Sequence, residues 1–120
     1  LFEGDLFPKV LESIFKIMRE EITPLAMLGR LANKVFAVYF FNASTKDVYL
    51  WAEKLRIKIE KHVIAINRHT DINITASIGV SNYPTHCSSA EELLKLADSA
   101  LYSAKHAGRN RVMVTEADSE

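Results

Sequence analysis

Apolar and polar positions follow a helical period in three long stretches of this chain and a strand-like pattern between them. From residue 5 to 22 the apolar side chains fall at Leu6, Val10, Leu11, Ile14, Phe15, Met18 and Ile22. That spacing predicts a helix with one broad buried stripe. Asp5 stands where an N-cap belongs, and Pro8 is tolerated in a first turn. Thr23-Pro24 ends the helix, because the residue before proline is pushed out of the α region. Residues 25–31 then predict one arm of a β-hairpin. Residues 35–41, dense in β-branched and aromatic side chains, predict the other. The turn is expected around Ala32-Asn33-Lys34, since Asn accepts the left-handed backbone of a tight hairpin.

A polar loop, Asn42 to Thr45, precedes a second helix expected over residues 46–67. Its stripe runs through Val48, Trp51, Ala52, Leu55, Ile59 and Val63, and Arg68 to Asp71 closes it. Residues 72–83 predict a strand with Ile74, Ala76, Ile78 and Val80 on one face. After a loop at Tyr83 to His86, Ser88 or Ser89 caps a third helix, with Glu91 and Glu92 in its first turn. This helix carries Leu93, Leu94, Ala97, Ala100, Leu101 and Ala104, and it stops at Gly108. A short strand at 111–114 and a polar, frayed tail at 115–120 complete the order α-β-β-α-β-α-β. The pattern implies one α+β domain over residues 1–114 with a largely antiparallel sheet.

Composition narrows the function classes. The 120 residues suffice for one domain with a real core. Fifteen basic and fifteen acidic residues cancel, so no global field directs the chain to nucleic acid or an anionic membrane. No apolar run reaches the ~18 residues of a membrane span. The lone Cys87 excludes an intrachain disulfide framework, so a cytoplasmic location is expected. His62, His69, His86 and His106 lack metal-ligand spacing with one another and with Cys87, so no metal is expected. The basic run Lys105, His106, Arg109, Arg111 raises RNA binding. The aromatic pair on adjacent strands that RNA-binding sheets use for stacking is not evident, and no nucleic acid is expected.

Three segments form an ordered set: Ile78-Gly79-Val80, then Ala97-Asp98-Ser99-Ala100-Leu101-Tyr102-Ser103-Ala104-Lys105, then Gly108-Arg109-Asn110. Together they strongly resemble the C-terminal half of GGDEF domains, the diguanylate cyclases that join two GTP molecules into cyclic di-GMP. The resemblance extends back through Gly4-Asp5 and covers about residues 4–114. It implies the nucleotidyl-cyclase palm, a ferredoxin-like antiparallel sheet with helices packed on it.

Two departures change what the resemblance implies. The family's hairpin turn reads Gly-Gly-[Asp/Glu]-Glu-Phe after an Arg-aromatic pair. Here Arg30-Leu31 is followed by Ala32, Asn33, Lys34, Val35 and Phe36, so only the phenylalanine survives. Ala32 and Asn33 add side chains where glycines let backbone approach a nucleotide. Lys34 and Val35 replace the acidic pair that supplies a metal ligand and a carboxylate beside the reacting hydroxyl. A cation about 4 Å from a divalent metal is repelled by roughly 4 kcal/mol per metal charge at an effective dielectric near 20. Losing the ligand and adding that repulsion is expected to abolish two-metal phosphoryl transfer. The family's product-inhibition motif, Arg-x-x-Asp, falls on Thr23-Pro24-Leu25-Ala26, which carries neither charge. The second departure is the family's first, central strand with its metal-binding aspartate, which has no counterpart here. The expectation is a fragment with that strand upstream, the alternative being a strand from a neighbouring chain.

By the same resemblance, Asp5 falls on the guanine-contacting aspartate, and Lys105 and Arg109 fall on contacts to the terminal phosphates of GTP. Each has a plain structural reading beside it. Asp5 serves as an N-cap, and the two cations, one helical turn apart, suit the negative end of the helix dipole. Asp98 and Asn110 are expected to hold the third helix and final strand in place, and Tyr102 and Trp51 to lie in or near the core. The function implied is a catalytically inactive GGDEF domain, a regulatory or dimerisation module in bacterial cyclic di-GMP signalling. The alternative is a GTP-binding sensor using Asp5, Lys105 and Arg109; an active cyclase ranks last. No cofactor is expected, with magnesium and GTP entering only through residual nucleotide binding. The expected partners are a neighbouring signalling domain and a second copy of the chain.

Overall fold

A computed structural model describes residues 6–21, 26–32, 35–83 and 85–116. The chain divides into two compact units, Leu1–Ala43 and Ser44–Glu120. In the first, helix α1 (Leu6–Glu21) precedes strands β1 (Ala26–Ala32) and β2 (Val35–Phe40). Val10, Ile17 and Met18 are buried while Glu12, Lys16, Arg19 and Glu20 are exposed, as the apolar stripe requires. The expected N-cap Asp5 lies outside the described residues. β1 and β2 pair antiparallel from Ala26↔Phe40 to Arg30↔Phe36, and Ala32↔Val35 closes the hairpin after a register shift between Arg30 and Ala32. The extra residue, Leu31, makes the shift a bulge. Phe15 of α1 meets Phe36 of β2 edge to face, ring centroids 5.0 Å apart at 84°, a favourable aromatic geometry.

The second unit contains α2 (Thr45–Lys61), β3 (Ile64–Asn67), β4 (Thr70–Ile72), β5 (Ile78–Val80), α3 (Ala90–His106) and β6 (Val112–Val114). Ser44 caps α2 by accepting the Asp47 N–H at 3.0 Å. The expectation of a helix through Asn67 is corrected, because α2 stops at Lys61. Beyond it, Val63 to Asn67 changes from helical to alternating burial, with Ile64 and Ile66 buried and Ala65 and Asn67 exposed. β-Branched residues lose rotamer freedom in a helix and fit a pleated surface. The side chain of Asn73 donates to the carbonyls of Glu60 (3.3 Å) and His62 (3.0 Å), covering acceptors that the helix end leaves open.

β3 and β4 form a further antiparallel hairpin that the sequence reading placed inside the helix and the next strand. Its turn is pinned where Asn67 Oδ1 accepts the His69 N–H at 2.8 Å, an Asx turn. The single strand expected over 72–83 is therefore corrected to the end of β4, an irregular segment at 73–77, and β5. The observed order is α-β-β-α-β-β-β-α-β.

β5 and β6 pair in parallel from Ile78↔Val112 to Val80↔Val114. Of the three strand pairs among the described residues, two are antiparallel and this one is parallel. Both α2 and α3 pack on the β5–β6 ladder. Ala52, Leu55, Ile59, Ile64, Ile66, Val80, Ala100 and Ala104 form the buried core of this unit. Gly79 marks the closest approach of strand to helix. A Cβ there would overlap the Ala97 carbonyl oxygen and the Leu101 amide nitrogen and lie 3.0 Å from the Ala100 carbonyl carbon. At the start of α3, Ser89 accepts the Glu92 N–H at 3.2 Å while Ser88 donates from its hydroxyl (2.9 Å) and its backbone N–H (3.3 Å) to the Glu92 carboxylate. These bonds are a variant of the capping box. The polar tail starts later than expected: the Thr115 N–H donates to Val80 O at 2.7 Å and its hydroxyl to Leu96 O at 3.2 Å.

Candidate functional site

The hairpin of the first unit carries Ala32 to Phe36, the residues on which the resemblance leads one to expect an altered signature. Ala32 ends β1 and pairs with Val35, the first residue of β2, so Asn33 and Lys34 span the connection between them. Both connecting residues lie outside the described structure. Val35 is half-buried and carries only a hydrocarbon side chain. Phe36 is engaged with Phe15.

The basic residues gather at the other end of the chain. α3 ends at His106, with Ala107 as C-cap, and Gly108 follows at φ +128°. The Arg109 N–H reaches back to the Ala104 carbonyl at 2.9 Å, the six-to-one bond of a Schellman ending, which satisfies an orphan carbonyl. Lys105 therefore projects from the last helical turn while Arg109 lies beyond the helix. This corrects the expectation of two cations one helical turn apart. Both are exposed, and among the described residues neither makes an ion pair. Arg111 donates through Nε to the Arg109 carbonyl at 3.1 Å. Its guanidinium lies so near Gly108 that a Cβ there would come within 2.6 Å. Lys105, Arg109 and Arg111 thus place three cationic side chains around one turn. Such a turn can attract an anion and bind phosphate oxygens through charge-assisted hydrogen bonds.

Arg109 and Asn110 both hold left-handed backbone, at φ +62° and +48°, an uncommon choice for residues with a Cβ. Asn110 is held from several sides. Its Oδ1 accepts from Arg56 at 3.0 Å, its Nδ2 donates to Glu60 Oε2 at 2.7 Å, and its backbone N–H donates to Ser77 Oγ at 3.2 Å. Arg56 is in turn bonded to Glu53 at 2.6 Å and lies 3.8 Å from Glu60. The hydrogen bond that Arg56 donates to Glu53 raises its guanidinium above its ordinary value against the smaller, opposite effect of burial. The sequence leads one to expect Asn110 to hold the third helix and the final strand; its bonds run instead to Arg56 and Glu60 of α2 and to Ser77, which the sequence did not identify. The available signal was the Glu53, Arg56, Glu60 spacing on one helix face; the link of Arg56 and Glu60 to a residue fifty or more positions away has no local trace.

Other expected residues fall out differently. Tyr102 is 63% exposed, which corrects its assignment to the core. It stacks on His106 with centroids 3.9 Å apart, and His106 Nδ1 lies 3.0 Å from the Tyr102 carbonyl. Trp51 is half-buried and Asp98 is exposed on α3. Asp5 lies outside the described residues. No helix among the described residues is long and apolar enough to cross a membrane, and no three of their His, Cys, Asp or Glu side chains converge as a metal site.

Comparison with known proteins places this geometry. Diguanylate cyclase A of Treponema denticola is 35% identical over 113 residues, covering 94% of this chain and 29% of that protein. The chain thus spans under a third of the length of that relative. Among solved structures, the GGDEF domain of YfiN (TpbB) from Pseudomonas aeruginosa superposes with a TM-score of 0.87 at 26% identity, covering 94% of this chain and 66% of that one. The GGDEF domain of DgcB from Caulobacter crescentus, solved in complex with c-di-GMP, gives a TM-score of 0.82 at 26% identity, covering 91% and 64%. These likenesses identify the α+β architecture as the palm fold of GGDEF domains. The family model described as "Diguanylate cyclase, GGDEF domain" matches residues 3–111, and the chain belongs to that family.

Proposed function

We propose that this chain is a catalytically silent GGDEF domain acting as a regulatory or dimerisation module in cyclic di-GMP signalling. The observation that carries the reading is the hairpin connection, where Lys34 and Val35 stand in place of two carboxylates. Phosphoryl transfer with two metals needs anionic oxygens to hold the ions and to position the attacking hydroxyl. A lysine and a valine supply neither. Magnesium would have to be held by other groups, and the residues at this connection do not fit it. The short span of the Treponema denticola relative that is covered supports a neighbouring domain as the partner.

A second reading is favoured by the exposed Lys105 and Arg109. In it the domain holds GTP through its phosphates without cyclising it, and occupancy is passed to a neighbour. The test is incubation of the purified chain with GTP and magnesium, followed by chromatography for cyclic di-GMP and by calorimetric titration with GTP. No product is expected; a magnesium-dependent product would overturn the silent reading. Heat of binding that disappears in Lys105→Ala and Arg109→Ala supports the sensor. A folded sample giving no heat at millimolar GTP leaves the interaction module alone.

A further inference from the structure

Arg56 and Glu60 belong to α2, yet each shares a hydrogen bond with the side chain of Asn110, immediately after Arg109. We propose that Arg56 and Glu60 are positioning residues for an anion-binding turn: through Asn110 they fix the backbone that presents Arg109 to a polyphosphate ligand. The proposal rests on the nucleotide-sensing reading and adds to it the control of phosphate affinity by α2.

Three observations lead there. The carboxamide of Asn110 uses its oxygen for Arg56 and its nitrogen for Glu60, so its plane is fixed from both ends, and Ser77 fixes its backbone N–H. Two successive non-glycine residues, Arg109 and Asn110, sit at positive φ, a conformation that persists only when its surroundings determine it. The charges are also divided between the two helices. Arg56 is neutralised on α2 by Glu53 and Glu60, whereas Lys105 and Arg109 make no ion pair among the described residues. α2 therefore supplies geometry, and the end of α3 supplies the charge that attracts an anion. Without the clamp, the turn relaxes toward ordinary backbone and Arg109 samples many directions, so a phosphate contact must bear the ordering cost itself.

The test is calorimetric titration of the full chain with inorganic triphosphate and with GTP. Wild type is compared with Arg56→Gln, Arg56→Lys, Arg109→Ala and the Arg56→Gln/Arg109→Ala double variant. Arg56→Gln is expected to weaken both ligands about five- to tenfold, and to have no further effect once Arg109 is alanine. Arg56→Lys is expected to behave like the glutamine variant, since lysine keeps the charge but lacks the planar fork. A long-range charge effect would instead be preserved by lysine. A merely structural role would lower the melting temperature and leave the affinity of the folded protein unchanged. Should Arg56→Gln not fold, Glu60→Gln, at a side chain 43% exposed, removes the other half of the clamp more gently. Equal losses in both Arg109 backgrounds, or a loss for GTP alone, would overturn the clamp and leave nucleotide sensing standing. Absence of binding by wild type to either ligand would overturn the sensing reading, and the clamp's proposed purpose with it.

Discussion

Gly79 sits where β5 comes closest to α3, and the atoms that a methyl group would meet, the Ala97 carbonyl and the Leu101 amide, are backbone. Backbone cannot swing aside as a side chain can, so strand and helix would have to separate. Gly79→Ala is expected to cost about 3 kcal/mol or more by overpacking, measurable as a fall in the denaturation midpoint. Substituting its neighbour Ser81, whose hydroxyl makes one bond to the Leu93 carbonyl at 2.6 Å, provides a milder comparison. The sequence marked Gly79 through resemblance alone, and the structure supplies the physical reason. Phe36 likewise has a packing role: its ring meets Phe15 edge to face at 5.0 Å. Tyr102 was placed in the core because it lies among apolar neighbours in sequence, and its exposure shows that one residue of slip around a helix suffices to change that outcome.

Among the elements, helix ends are where local and distant contributions separate. The start of α3 is local and was legible: Ser88, Ser89 and Glu92 lie within five residues and bond one another. Those bonds, led by the Ser88 hydroxyl and aided by Lys95, hold the Glu92 carboxyl below its ordinary value of 4.5. A carboxylate lowered in the folded state contributes stability above that ordinary value and loses it as pH falls through the folded value. The difference in thermal stability between wild type and Glu92→Gln is therefore expected at neutral pH and to shrink below pH 4.5. A difference that persists unchanged into strong acid would contradict this. The end of α2 is nonlocal. Asn73 closes it from beyond the β3–β4 hairpin, and Asn73→Ala is expected to cost about 1 kcal/mol. Faster amide exchange should then appear in the last turn of α2 ahead of its middle. Uniform acceleration throughout the helix would show that Asn73 does not act as its cap.

At the scale of the whole molecule, the palm fold is shared with YfiN at 26% identity. In the second unit that framework is maintained by helix–strand packing and by the Asn110 network. These contacts lie within Ser44–Glu120 and the hairpin connection lies in Leu1–Ala43, which underlies the expectation, set out above, that the chain forms no cyclic di-GMP while remaining folded.

The sequence by itself determined most of the periodic faces of α1 and α3 (Ile17 is buried in addition and Leu94 is exposed), the hairpin β1–β2, the serine cap of α3, the stop at Gly108 and the identity of the groups at the hairpin connection. Each is written within a few residues, where spacing and side-chain chemistry act directly. Only the tertiary structure decided where α2 ends, that residues 64–72 form their own hairpin, that β5 and β6 run parallel, and that Arg56 and Glu60 hydrogen-bond the side chain of Asn110. In each of these cases the deciding partner is distant along the chain or the choice lies between two locally acceptable conformations. Val63 to Asn67 can prolong a helical stripe or alternate as a strand. The side chain of Asn73 and the pairing with β4 select the strand, because together they satisfy the backbone groups that the shortened helix leaves open.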